Sequence, residues 1–92
     1  MDDSDKQKDL TFGGKAAAVS FNPSAVPEVD AIKTAAANLI DAITGPSGEK
    51  ILPELQEAGT KLDGEVVAMR KLAQRKAQEA SMWAVKAATW HL

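Results

Sequence analysis

An all-α fold is predicted by three features of the sequence. Apolar residues recur at alternating steps of three and four over two long stretches, the signature of one-faced helices. Gly45-Pro46 and a glycine-containing segment separate the stretches. Aromatics are only 4% of the 92 residues, and much of the 45% hydrophobic content is alanine, a poor strand former. The expected architecture is an antiparallel helical hairpin with an N-terminal arm, in a single domain over residues 1–92. The arm takes 1–22, a first helix 24–44, a connector with a short helix 45–60, and a long C-terminal helix 61–91.

In the arm no helical period is visible. Thr11-Phe12-Gly13-Gly14-Lys15 reads as loop chemistry, and 15–21 as at best a weak extended segment. Asn22-Pro23-Ser24 marks a turn, with Ser24 the expected N-cap of the first helix. Pro27 suits the first turn, and Glu28 and Asp30 favour its positive dipole end. Val29, Ile32, Ala36, Leu39 and Ile43 form the expected inward stripe, widened by Ile40. Gly45-Pro46 stops the helix.

The connector carries Leu52, Pro53 and Leu55. A short helix is expected over 49–58 in a stretch that Gly59 and Gly64 weaken, then a break, with Thr60 and Asp63 as a capping box. The last helix has the clearest pattern. Leu62, Val66, Met69, Ala73, Lys76, Ala80, Trp83, Ala87 and Trp90 follow steps of four and three, a heptad seam with one polar member. A second row, Leu72, Ala77, Ala84 and Ala88, makes the helix apolar on more than one side. One partner helix cannot cover both rows, so a symmetric homo-oligomer is expected to bury the second. Lys76 in the seam must then reach water or meet an anion.

Charge excludes several functions. The net charge is −2, from 11 Lys+Arg and 13 Asp+Glu. That gives no basic surface for duplex DNA, so no DNA partner is expected. Cysteine is absent, which removes disulfides and thiolate metal sites. No run approaches the ~20 apolar residues of a membrane span, and the acidic start Met1-Asp2-Asp3-Ser4-Asp5 does not read as a signal peptide. A soluble intracellular protein without membrane contact is expected. Yet Arg70, Lys71, Arg75, Lys76 and Lys86 face only Glu79 across residues 70–86. Two readings stay open: cations serving a helix C-terminus and an acidic neighbour, or a small-anion site.

Catalytic parts are scarce. His91 is the lone histidine and stands next to the C-terminus, so no nucleophilic triad, metal site or cofactor is expected, and the chain is not read as an enzyme. Gly13-Gly14-Lys15 fails as a P-loop, because Asp9 stands where the first glycine belongs and Ala16 replaces the Ser/Thr. Two glycine N–H groups, a lysine and the flat face of Phe12 still make minimal equipment for a nucleotide. The alternative is a tight turn whose phenylalanine packs on the hairpin.

Certain segments resemble a known family. Gln78-Glu79-Ala80-Ser81-Met82-Trp83-Ala84-Val85-Lys86-Ala87 resembles the signature helix of phage-encoded cyclic-nucleotide sponges that counter the CBASS defence, relatives of which counter Thoeris. The run from Asp5 to Ala16 and Phe21-Asn22-Pro23-Ser24 are similar to the arm of the CBASS branch. The resemblance implies a non-enzymatic hexamer in the cytoplasm of an infected bacterium, binding cyclic dinucleotides between two protomers and cyclic trinucleotides where three meet. The Thoeris branch takes cyclic ADP-ribose isomers. Carried over, Phe12 falls where relatives stack an aromatic on a dinucleotide base, with Gly13, Gly14 and Lys15 as the adjoining loop and Lys33 as the nearest match to a phosphate-binding lysine. Arg70 and Ala73 fall on a pair lining the trinucleotide pocket, with Arg75 a departure that adds charge there. Met82 and Trp83 match the signature as packing residues.

Overall fold

A computed structural model of the chain describes residues 10–22, 25–52 and 63–92. Three helices form there: α1, Phe12–Ala16; α2, Pro27–Thr44; and α3, Gly64–Ala88. No strand occurs among the described residues. The all-helical expectation therefore stands at that level.

Helix α1 corrects the reading of this stretch as a loop. Thr11 caps it, its hydroxyl accepting from the Gly14 N–H at 3.0 Å. The glycines serve close approach rather than exposure. A Cβ on Gly13 would stand 2.1 Å from the Ala37 carbonyl oxygen and 2.6 Å from Asp41 Oδ1. Only glycine lets α1 lie against α2.

Helix α2 begins later than 24. Val26 is its N-cap and bonds no side chain there, with Pro27 in the first turn; Ser24 lies outside the described residues. It ends as expected at Gly45, whose φ of 86° suits glycine. Its inward face differs from the expected stripe. Val29, Lys33, Ala36, Ala37, Ile40 and Thr44 are buried, Ile40 completely. Ile32 and Ile43 are half-buried, and Leu39 is exposed. The face turned because α2 is covered from two sides, by α1 and by α3, so Ile40 lies in the cluster that joins them.

Residues 45–52 form turns; 53–62, and with them most of the expected short helix and Thr60, lie outside the described residues. Asp63 caps α3, its carboxylate accepting from the Glu65 and Val66 N–H groups at 2.9 and 3.2 Å. Helix α3 gives way to a turn after Ala88, short of 91.

The largest correction concerns the seam of α3. Its buried residues are Ala77 and Ser81. Val66, Met69, Trp83 and Trp90 of the expected seam are exposed, as are Leu72 and Met82; Trp83 is 55% and Trp90 67% exposed. Within one chain the alanine row packs and the heptad row does not. Packing the small side lets α3 lie close to α2 and leaves bulk outside. The extents, 51 × 30 × 13 Å, describe a slab about one helix diameter thick. Its radius of gyration, 14.8 Å, exceeds the roughly 12 Å of a globular chain this long.

Candidate ligand-binding site

At the start of α1 each N–H already has a partner within the chain. Phe12 N–H donates to the Pro46 carbonyl at 2.7 Å, Gly13 N–H to Asp41 Oδ1 at 2.7 Å, and Gly14 N–H to the Thr11 hydroxyl. The Thr11 hydroxyl in turn donates to Asp41 Oδ2 at 2.8 Å. Asp41 thus occupies the place a phosphate would take, and its carboxylate repels a second anion. The expectation that Gly13 and Gly14 offer free N–H groups is corrected. Both are buried.

Phe12 is half-buried, packs on the central cluster, and its ring lies against Gly48, where a Cβ would come 3.0 Å from it. This is the packing alternative, not an open stacking face. Lys15 is exposed on the last turn of α1.

Lys33 is 8% exposed. Its ammonium donates to the Phe21 carbonyl and stands 5.1 Å from the centroid of the Phe21 ring. The Phe21 ring, absent from the candidate residues of the sequence, is 65% exposed. Ala18 and Ala25, on either side of it, both hold φ at 52°, a left-handed conformation costing a non-glycine residue about 1–2 kcal/mol. Asn22 stabilises the segment, donating through Nδ2 to the Val26 carbonyl and to Asp30 Oδ1, both at 2.9 Å, and accepting from Val26 N–H. A lysine in phase with Val29, Ala36 and Ile40 was the signal available in the sequence.

Arg70 has a structural task. Its Nη1 donates to the Ile43 carbonyl at 2.8 Å. With Gly45 N–H on Asp41, Lys50 Nζ on Ala42 and Lys50 N–H on Thr44, it satisfies the last four carbonyls of α2. One of five guanidinium donors is used, so the others are left for solvent or ligand. Ala73 is half-buried nearby in sequence, and Arg75 is exposed. The structure does not bring Arg70 and Arg75 to one enclosed pocket within the chain.

The bare face of α3 carries charge as well as bulk. Lys71, Arg75 and Lys76 are exposed, and Lys76 reaches Glu79 at 3.8 Å. Lys76 therefore sits in water. Lys86 lies 5.1 Å from the Trp83 ring centroid. Between α2 and α3 lies an open apolar groove of about 300 Å³, lined by Ile32, Ala35, Leu39, Ala80 and Ala84 among others. It offers no charged group, so it suits a hydrophobic side chain rather than a phosphate.

Gln78 ties the helices together, donating to the Ala16 carbonyl at 3.0 Å. Glu49 titrates below its ordinary value, chiefly through its own backbone N–H and then the Ser47 hydroxyl and N–H, against the opposing effect of burial. Among the described residues no cluster of His, Asp or Glu could hold a metal, and no helix is long and apolar enough to cross a membrane. Compared with family models, curated proteins and solved structures, the chain matches none.

Proposed function

We propose that the chain is a non-catalytic binding protein that sequesters cyclic oligonucleotide signals, with binding sites completed when copies assemble. The observation that carries this reading is the outer face of α3, where Val66, Met69, Trp83 and Trp90 stand exposed beside Lys71, Arg75 and Lys86. Apolar bulk at heptad spacing favours association of like chains. Cations along its margin then supply a field for phosphates.

Helices α2 and α3 are read as an antiparallel hairpin. Arg70 near the start of α3 meets Ile43 near the end of α2, and Ala77 shares the central cluster with Ala36. Six such hairpins form the proposed hexamer, in the cytoplasm of an infected bacterium. A ring-shaped dinucleotide suits a two-fold interface that presents each cation twice, and a trinucleotide a three-fold convergence of Arg70. Sequestration works by mass action, so affinity and copy number decide it.

The test combines sedimentation with ligand recovery. The chain is expected to sediment as a hexamer, to bind cyclic GMP–AMP in titration calorimetry, and to release it intact on heat denaturation. A monomer that binds no cyclic di- or trinucleotide overturns the reading, and recovery of cleaved product makes the chain an enzyme. The same exposed face supports a second reading, a helical module that docks another protein. Assembly without affinity for cyclic nucleotides, including cyclic ADP-ribose isomers, would favour it.

A further inference from the structure

The apolar groove between α2 and α3 holds one polar side chain. Ile32, Leu39, Ala80 and Ala84 wall it, and Ser81 is the exception among the described residues that line it. Ser81 is 9% exposed. A helical hydroxyl out of reach of water commonly donates to the carbonyl four residues back. Thr44 does so to Ile40 and Thr89 to Val85, both at 2.8 Å. The Ser81 hydroxyl bonds no described residue, which leaves it for whatever fills the groove.

The same helix carries a matching donor. A buried indole N–H seeks an acceptor, and that of Trp83 has none among the described residues. Trp83 stands three residues after Ala80 and one before Ala84, at the margin of the groove. Its ring does not line the groove; it is 55% exposed, with Lys86 beside it. A groove of about 300 Å³ is at the small end of clefts that take whole ligands, which suits one large side chain.

We propose that this groove is a socket for Trp83 of a second copy of the chain, the indole N–H donating to the Ser81 hydroxyl. Two antiparallel α3 helices related by a two-fold axis level with Met82 bring each Trp83 opposite the other copy's Ser81, so the contact is made twice. The contact rests on the reading that copies assemble; it needs no nucleotide.

Trp90→Phe leaves Trp83 as the one tryptophan. Its emission and its quenching by acrylamide are followed against chain concentration, beside sedimentation and a titration with cyclic GMP–AMP. The expected result is a blue shift and slower quenching as copies assemble. Trp83→Phe keeps a ring and loses the N–H, and should weaken assembly about tenfold, the effect of two hydrogen bonds of ordinary net strength. Ser81→Ala should weaken it by a similar factor. The double variant should be no weaker than either, because both changes remove the same bond. Circular dichroism first shows each variant helical. Water-exposed Trp83 emission in the assembled chain, wild-type association in either single variant, or additive losses in the double variant overturns the contact. If Trp83 is buried on assembly while cyclic GMP–AMP does not bind, sequestration falls and the contact stands. If cyclic GMP–AMP binds the assembled chain with Trp83 still in water, the contact falls and sequestration stands. A chain that stays monomeric overturns the contact, and one that also binds no cyclic nucleotide overturns both.

Discussion

Helices α2 and α3 make opposite use of their apolar residues. Helix α2 is shorter, yet buries Val29, Ala36, Ala37 and Ile40, the last three in the cluster it shares with its two neighbours. Helix α3 has 25 residues and buries Ala77 and Ser81. Its bulk faces outward. The contrast teaches that helical spacing shows an apolar stripe exists, but not whether its own chain or another molecule covers it.

The most severe way to break the contrast is at Ile40. Ile40→Ala empties a completely enclosed site, and a loss of about 2–5 kcal/mol is expected in chemical denaturation. For a domain stabilised by ~5–15 kcal/mol in all, that is a large share. Gly13→Ala is expected to follow at about 1–3 kcal/mol, because its methyl meets the Ala37 carbonyl and α1 must shift. A similar cost, about 1–3 kcal/mol, is expected of Asp41→Ala, which strips the partner from the Gly13 N–H. A wild-type denaturation midpoint in any of the three would mean that α1 does not seal α2.

The outer face should respond differently. Trp83 is 55% exposed and is not part of the core cluster, so with Trp83→Glu stability measured on dissociated chain should change by no more than ~0.5 kcal/mol. Sedimentation should instead show smaller assemblies. Destabilisation matching that of Ile40→Ala would place Trp83 inside the chain's own core and erase the distinction.

Acid acts most weakly, through the turn after α2. The folded-state pKa of Glu49 lies below 4.5, so its contribution is complete above that value and fades as pH falls through the lowered one. Glu49→Gln should lower the melting temperature slightly near neutral pH, and the difference from wild type should vanish in acid.

Some of this was legible in advance. Pro27 in the first turn and Gly45 at the end of α2 have local causes, a fixed φ and a left-handed stop. The phase of α2 was not legible, because Leu39 and Ile40 are equally apolar and only the position of α1 selects Ile40. Gly13-Gly14 was ambiguous for a similar reason. A glycine pair permits both a phosphate loop and a close helix contact, and Asp41, 28 residues away from Gly13, decides between them. Phe21 gave no signal, since its contact is with the distant Lys33.

By itself the sequence determined that this chain is helical, where α2 stops, and that α3 has more apolar surface than one partner covers. Those properties rest on backbone preference and on spacing within one helix, which act over a few residues. Tertiary structure decided which row of α3 packs, which phenylalanine remains outside, and that the glycine N–H groups are already bound. Each of those outcomes depends on groups brought together from far along the chain, and local spacing carries no record of them.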